Sequence, residues 1–478
     1  MDLLTAGQVA NLAEGYVHPP AADDAATGPG VVIDSRQADA GALFVALPGE
    51  RVDGHDFVAA AAAAGAGAAL VTRVLDAPIP QIVVPDSVRG LSALARGLVR
   101  RAEPGLCVLG ITGSSGKTST KDLLAQVLED AGATVSPAGS FNNEIGVPLT
   151  ACQVDASTRF LVSELGARGI GHIAWLCSIV RPRVGVVLNV GHAHLGEFGD
   201  VATIARAKGE LVESLPADGW AVLNADDAHV SAMAGRTAAK VALFSSRGRP
   251  AAAADRLVWA DDVTADDLQR HSFTLWTASG PSVAGPAPVS LRVLGQHAVA
   301  NALAAAAAAL CADVALPAVA ASLSAAEPRS RWRMEIVERR DGVAILNDSY
   351  NANPDSMAAA LDTLAQVGRA RRRTHPRART VAVLGDMLEL GAAAAAEHRT
   401  IGALAAILGV DEVVGVGEFG PELVAGTAEG TTRGQAVGAK SDVAGYLAGR
   451  LNPGDVVLVK ASRGLALNTV ADDLLAAG

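Results

Sequence analysis

The residues Gly113-Ser114-Ser115-Gly116-Lys117-Thr118-Ser119 carry the types and spacing that hold phosphate. Glycines let backbone N–H groups approach phosphate oxygens, and a helix opening at Lys117 would add partial positive charge from its N-terminus. Lys117 would reach the outer phosphates and the Thr118 hydroxyl would hold Mg²⁺. The motif is the short Gly-x-x-Gly-Lys-Thr, because the position five before Gly116 is Ile111 and not glycine. In a chain with 50 glycines such a pattern gains its weight from its flanks. Here the apolar run Leu106-Cys107-Val108-Leu109 reads as a buried strand. On the other side, Leu123, Leu124, Val127 and Leu128 share one helical face until Gly132.

Two more strand exits add to this chemistry. Phe160-Leu161-Val162-Ser163 ends at Glu164, and Val184-Gly185-Val186-Val187-Leu188 runs into Asn189 and on to His194. Ligands gather at the carboxyl ends of strands in an open parallel sheet, so both groups emerge beside Lys117 and Thr118. A carboxylate and an imidazole there can help hold a hard cation that bridges phosphates. Further on, Ile204, Leu211, Val212 and Leu215 have helical spacing. Lys208 among them reads, on residue type alone, as a solvated surface lysine.

The elements that position these groups fall into about three domains, as 478 residues allow. Half the residues are hydrophobic, so each domain can bury a core. A net charge of −11 argues against a nucleic-acid surface. The one basic run, Arg369, Arg371, Arg372, Arg373, Arg377 and Arg379, contains Pro376 and reads as a solvated loop. Cys107, Cys152, Cys177 and Cys311 lie far apart without metal-ligand spacing, which fits a reducing compartment. The N-terminus lacks the features of a signal peptide, and no apolar run is long enough to span a bilayer. A soluble cytoplasmic protein is expected.

Residues 1–104 read as a small α/β unit bounded near Glu103-Pro104-Gly105. Its polar turns, Asp34-Ser35-Arg36 and Gly49 to His55, have the composition of ordinary turns. The central domain, 105–327, combines the parallel sheet with alternating segments from about Val241 to Leu294 that suggest antiparallel strands. From 328 to 478 strand and helix alternate again as a doubly wound unit. Its strands exit at Asp348, at Gly385-Asp386-Met387 and at Lys460-Ala461-Ser462-Arg463, which points to a cleft between domains.

These motifs resemble, over nearly the whole chain, those of the Mur ligases, ATP-dependent amide-forming enzymes of peptidoglycan precursor synthesis. The segments that carry the likeness are Asp34-Ser35-Arg36, Leu43 to Phe57, Thr112 to Ser119, Phe141-Asn142-Asn143-Glu144-Ile145-Gly146-Val147-Pro148, Asp348 to Pro354, Gly385-Asp386-Met387 and Lys460-x-Ser462-Arg463. Within the family they are most similar to the member that joins D-alanyl-D-alanine to a UDP-N-acetylmuramoyl tripeptide. The resemblance implies a UDP-sugar-binding N-terminal α/β domain, a central ATPase-like domain and a C-terminal Rossmann-like domain, acting as a monomer.

Site roles follow from the same resemblance. Gly113, Ser114, Ser115, Gly116, Lys117, Thr118, Ser119, Asn143, Asn301, Arg331 and Asp348 would contact ATP. Thr118 and Glu164 would hold one Mg²⁺; Glu164, His194 and Lys208 would hold a second, with Lys208 carrying a carbamate. Lys117, Lys208, His194 and Arg331 would serve catalysis, and Ser35, Arg36, Arg51, Asp53, Gly54 and His55 would bind the UDP substrate. The implied reaction passes through an acyl phosphate. Two departures from the family pattern are Ala298 after His297 and Ala461 in the Lys-x-Ser-Arg loop. A phosphate-loop switch or motor would need a residue that positions a hydrolytic water, and the sequence offers no obvious one.

Overall fold

A computed structural model describes residues 3–49, 52–191 and 195–477. Arg51 and His194 therefore lie outside the described residues. Three sheets organise the chain. The N-terminal sheet has five strands in the spatial order 16–18, 81–83, 68–71, 43–45 and 31–32, all parallel except the edge strand Tyr16–His18. Helix Ser87–Ala102 opens on an Asp86 cap, whose Oδ1 accepts from the Arg89 N–H at 2.9 Å. Its buried face joins the N-terminal core to that of the central domain in one continuous cluster that includes Leu91, Leu94, Leu98, Val147 and Ile173.

The central sheet has nine strands, in the order 282–294, 270–279, 256–265, 240–245, 220–224, 184–187, 107–112, 160–164 and 134–135. Antiparallel pairing begins later than the alternation predicts. Lys240–Ser245 is parallel to Trp220–Asn224, and Arg256–Ala265 is parallel to Lys240–Ser245. Only the last two pairings are antiparallel, so Arg270–Ser279 alone runs against the other strands from 220 to 294. The physical reason is burial: Ala242, Leu243 and Phe244 are covered on both faces, as an inner parallel strand requires. The flank extends the same sheet. Helix His297–Cys311 lays its alanines, with Leu303 and Leu310, against one face.

The C-terminal sheet runs 335–338, 344–347, 456–460, 380–385, 412–416 and 433–437, parallel except for its first edge strand. The basic run is not a free loop. Helix Pro354–Arg371 includes its first members, Arg371 pairs with Glu338, Arg372 with Asp411, Arg373 with Asp267 and Arg379 with Asp455. Acidic partners across the fold neutralise what the local sequence leaves exposed. Among the described residues no helix is long and apolar enough to cross a membrane.

Candidate active site

The carboxyl ends of the central strands open on a cleft of about 810 Å³, lined by residues of all three domains. Strand Cys107–Thr112 leads through Gly113, which does not line the cleft, to Ser114–Ser119, which do, and helix Lys117–Glu129 begins there. Gly116 has φ +80°, and a Cβ there would stand 2.5 Å from Asn301 Oδ1. Glycine is required on both counts. Asn189, unassigned from sequence, clamps this loop: its Oδ1 accepts from the Ser115 N–H at 2.9 Å and its carbonyl from the Ser114 N–H at 3.1 Å. The Lys117 ammonium donates to the Gly113 carbonyl at 2.7 Å, folded back over the loop. Burial holds its pKa below the ordinary lysine value, against the pull of nearby Glu164.

Glu164 ends its strand opposite Ile111, is 1% exposed, and accepts from Thr118 Oγ1 at 2.8 Å and from Asn142 Nδ2 at 2.8 Å. Hydroxyl and carboxylate oxygens in contact form a hard donor set that suits Mg²⁺. Asn143 also lines the cleft, with its Oδ1 accepting from the Gly146 N–H at 2.9 Å to open the next helix. Asn301 and Ser119 lie along the same wall.

Lys208 corrects the reading from residue type. It is 5% exposed and lines the cleft from helix Val201–Glu213. Gly110 and Gly185, in adjacent strands, admit Leu211 closely: Cβ atoms at those positions would meet Leu211 carbons at 3.3 and 3.0 Å. That approach brings the whole helix face inward. Burial, reinforced by the charge of Lys117, drives the Lys208 pKa well below 10.5, so its amine tends toward the neutral form. The spacing 204, 208, 211, 215 already put Lys208 on the apolar stripe, a signal that residue type alone overrode.

The C-terminal domain supplies the opposite wall. Asp348 is held by Lys460 Nζ at 2.5 Å and by the Met334 N–H at 3.1 Å. Of Arg331 and Arg333 it is Arg333 that lines the cleft; it donates to Ser140 Oγ at 2.9 Å, and Ser140 Oγ lies 2.6 Å from Thr118 Oγ1. Arg331 is exposed, with its guanidinium 5.3 Å from the Trp332 ring centroid, and stands away from the cleft lining. Left-handed backbone at Trp332 (φ 62°) and Met334 (φ 51°) turns Arg333 inward, which no sequence pattern announces. A second tie across the cleft is Asn353 Nδ2, which donates to the Ser114 carbonyl at 3.4 Å.

Ser35, Arg36, Asp53, Gly54 and His55 gather at the carboxyl edge of the N-terminal sheet, apart from the phosphate loop. Both ring nitrogens of buried His55 are engaged, Nδ1 with Asp53 at 2.6 Å and Nε2 accepting from the Thr72 N–H at 2.9 Å. Asp53 is lowered to about 2, chiefly by the hydrogen bond from the His55 N–H. Arg36 grips Asp34 through two nitrogens and is exposed, and a Cβ at Gly54 would stand 2.6 Å from the Leu47 backbone. This domain reaches the main cleft through Asp86 and Arg89.

Comparison with known proteins agrees with this architecture. Family models match residues 29–96 (Mur ligase family, catalytic domain), 111–309 (Mur ligase middle domain) and 332–463 (Mur ligase, glutamate ligase domain). The chain is 44% identical to UDP-N-acetylmuramoyl-tripeptide–D-alanyl-D-alanine ligase of Mycobacterium bovis, over 99% of this chain and 98% of that protein. It is 40% identical to the ligase of the same name from Escherichia coli, over 81% of each. Among solved structures, MurF from Acinetobacter baumannii superposes with a TM-score of 0.86 at 31% identity, covering 100% of this chain and 99% of that one. MurF of Thermotoga maritima, solved in complex with ADP, gives 0.76 at 28% identity, covering 94% and 97%. With three matched domains in order and full-length likeness at this level, the chain belongs to the Mur ligase family.

Proposed function

We propose that this protein is an ATP-dependent ligase that joins D-alanyl-D-alanine to a UDP-N-acetylmuramoyl tripeptide, giving the UDP-muramoyl pentapeptide with release of ADP and phosphate. The observation that carries this reading is the hydrogen-bonded chain Arg333–Ser140–Thr118–Glu164, which ties the third domain to the phosphate loop. The full-length relatives of that name support the choice of substrates. Residues 1–104 would hold the UDP end through Ser35, Arg36, Asp53, Gly54 and His55, 105–327 the ATP, and 328–478 the incoming dipeptide.

Both partners in the first step are anions, the tripeptide carboxylate and the γ-phosphate. Lys117 and Arg333 lower that repulsion and stabilise charge on the transferring group. Arg333, which lines the cleft, would take the part that the resemblance gives to Arg331. Thr118 and Glu164 would hold Mg²⁺, which supplies further charge neutralisation at the phosphates. Burial and the charge of Lys117 push the Lys208 amine toward its neutral form, the form that would add to CO₂ as a carbamate with loss of a proton, and the carbamate would then offer oxygen to a second metal. Asn301 beside Gly116 would meet the nucleotide base, and Asp348 the ribose. The carboxylate attacks the γ-phosphorus, ADP leaves, and the dipeptide amine displaces phosphate from the acyl carbon. Closure of the C-terminal domain keeps water from that acyl phosphate. Phosphate release from ATP, Mg²⁺ and UDP-muramoyl tripeptide, measured with and without D-alanyl-D-alanine, tests the reading, and release indifferent to the dipeptide contradicts it.

A further inference from the structure

The helix that opens at the phosphate loop, Lys117–Glu129, also holds the link between two domains at its far end. Residues 326–334, which join the central domain to the third, have no regular secondary structure, yet they are pinned to this helix. Gln126 bonds the Glu327 backbone twice: its Oε1 accepts from the Glu327 N–H at 2.9 Å, and its Nε2 donates to the Glu327 carbonyl at 3.1 Å. Pro328 follows and restricts Glu327 to the extended backbone that this pairing needs. Next, the Arg329 guanidinium forks onto Glu129, Nη1 to Oε1 at 2.6 Å and Nη2 to Oε2 at 2.5 Å. A planar bidentate pair fixes direction as well as distance.

Beyond Arg329 the anchors belong to the third domain. The Tyr350 N–H donates to the Trp332 carbonyl at 3.1 Å, and the Met334 N–H to Asp348 Oδ1 at 3.1 Å. Ser330 and Arg331 lie between the two sets of anchors, and rotation of the third domain over the cleft pivots there. Arg333 follows at once and donates to Ser140 Oγ beside Thr118. Four residues reach at most about 14 Å, so the seat of Arg329 decides where Arg333 can arrive. Glu327, Pro328, Arg329 and Ser330 line the cleft, whereas Gln126 and Glu129 stand behind them, outside its lining.

We infer that Gln126 and Glu129 are positioning residues: by seating the linker on the phosphate-loop helix they register Arg333 against the phosphate that is transferred. This deepens the ligase reading above and rests on it. The test compares pentapeptide formation by the wild type, Q126A, E129R and the swap E129R/R329E. E129R sets two guanidiniums side by side and should lower kcat about tenfold, because a small misplacement at the reacting centre carries a cost of that order. Q126A should lower it by a smaller factor. Neither residue lines the cleft, so KM for the UDP-tripeptide should stay within about twofold of the wild type. The Glu129–Arg329 pair is 38% and 42% exposed, so the melting temperature should barely move. The swap restores an opposite-charge pair and should recover most of the lost kcat. R373Q breaks another exposed bridge between the same two domains, away from the linker, and should stay within about twofold of the wild type. E129R at the wild-type rate overturns the proposal, as does a loss that follows a fall in melting temperature. A swap variant as slow as E129R overturns it too and would assign Arg329 to a ligand in the cleft. An equal loss in R373Q would make domain contact in general the cause. If the wild type forms no pentapeptide, the ligase reading itself fails, and this proposal with it.

Discussion

Lys208 is the residue where stability and function pull apart. Its amine is buried and its pKa is driven well below 10.5. In the folded chain the group is neutral at pH values where the unfolded chain still binds a proton. By linkage, stability should rise with pH from the lowered folded value up to 10.5, where the unfolded lysine also loses its proton. Replacement by an apolar side chain of similar length removes that cost. Lys208→Met should therefore unfold at a higher temperature than the wild type and lose the alkaline slope, while its ligase activity falls on the order of 10²-fold or more. Thermal melts across the alkaline range and a product assay check both halves. A less stable variant would place Lys208 among structural contacts instead.

At the scale of the element, the strand, loop and helix from Cys107 to Glu129 do most of the positioning, and Gly116 is their pivot. Gly116→Ala should cost roughly 1–2 kcal/mol of stability for the left-handed backbone alone. It should also weaken ATP binding, because the new methyl group collides with Asn301. Calorimetric titration with ATP alongside a melt measures the two effects. This unit was legible in the sequence because its chemistry is local: motif, strand and helix are contiguous, and Glu164 follows from the strand-exit rule. Lys208 was legible only through spacing, since its burial depends on two glycines in distant strands admitting Leu211. Arg333 was not legible, because its direction is set by left-handed residues on either side that carry no sequence mark. The inner parallel strands at 240–245 and 256–265 were misjudged for a related reason: alternation reports one exposed face, and these strands gain a second cover from helix His297–Cys311.

For the whole molecule, the question is which contacts join the third domain to the site. Arg373 and Asp267 bridge the domains on the surface, with side chains 65% and 74% exposed, and such pairs contribute about 0–1 kcal/mol. Arg333 instead reaches Ser140, whose hydroxyl contacts Thr118 of the phosphate loop. R373Q should leave ligase activity within about twofold of the wild type, whereas R333Q should reduce kcat on the order of 10²-fold with little change in melting temperature. Equal losses in both would mean that domain approach in general, and not a charge at the phosphates, limits the reaction. The central claim is that all three domains serve one amide-forming reaction at this cleft. Its most direct test is phosphate release with ATP, Mg²⁺ and UDP-muramoyl tripeptide, read with and without D-alanyl-D-alanine and paired with mass analysis of the product. The structure predicts release that depends on the dipeptide and matches the pentapeptide formed. Release at the same rate without the dipeptide, or without pentapeptide, would contradict it.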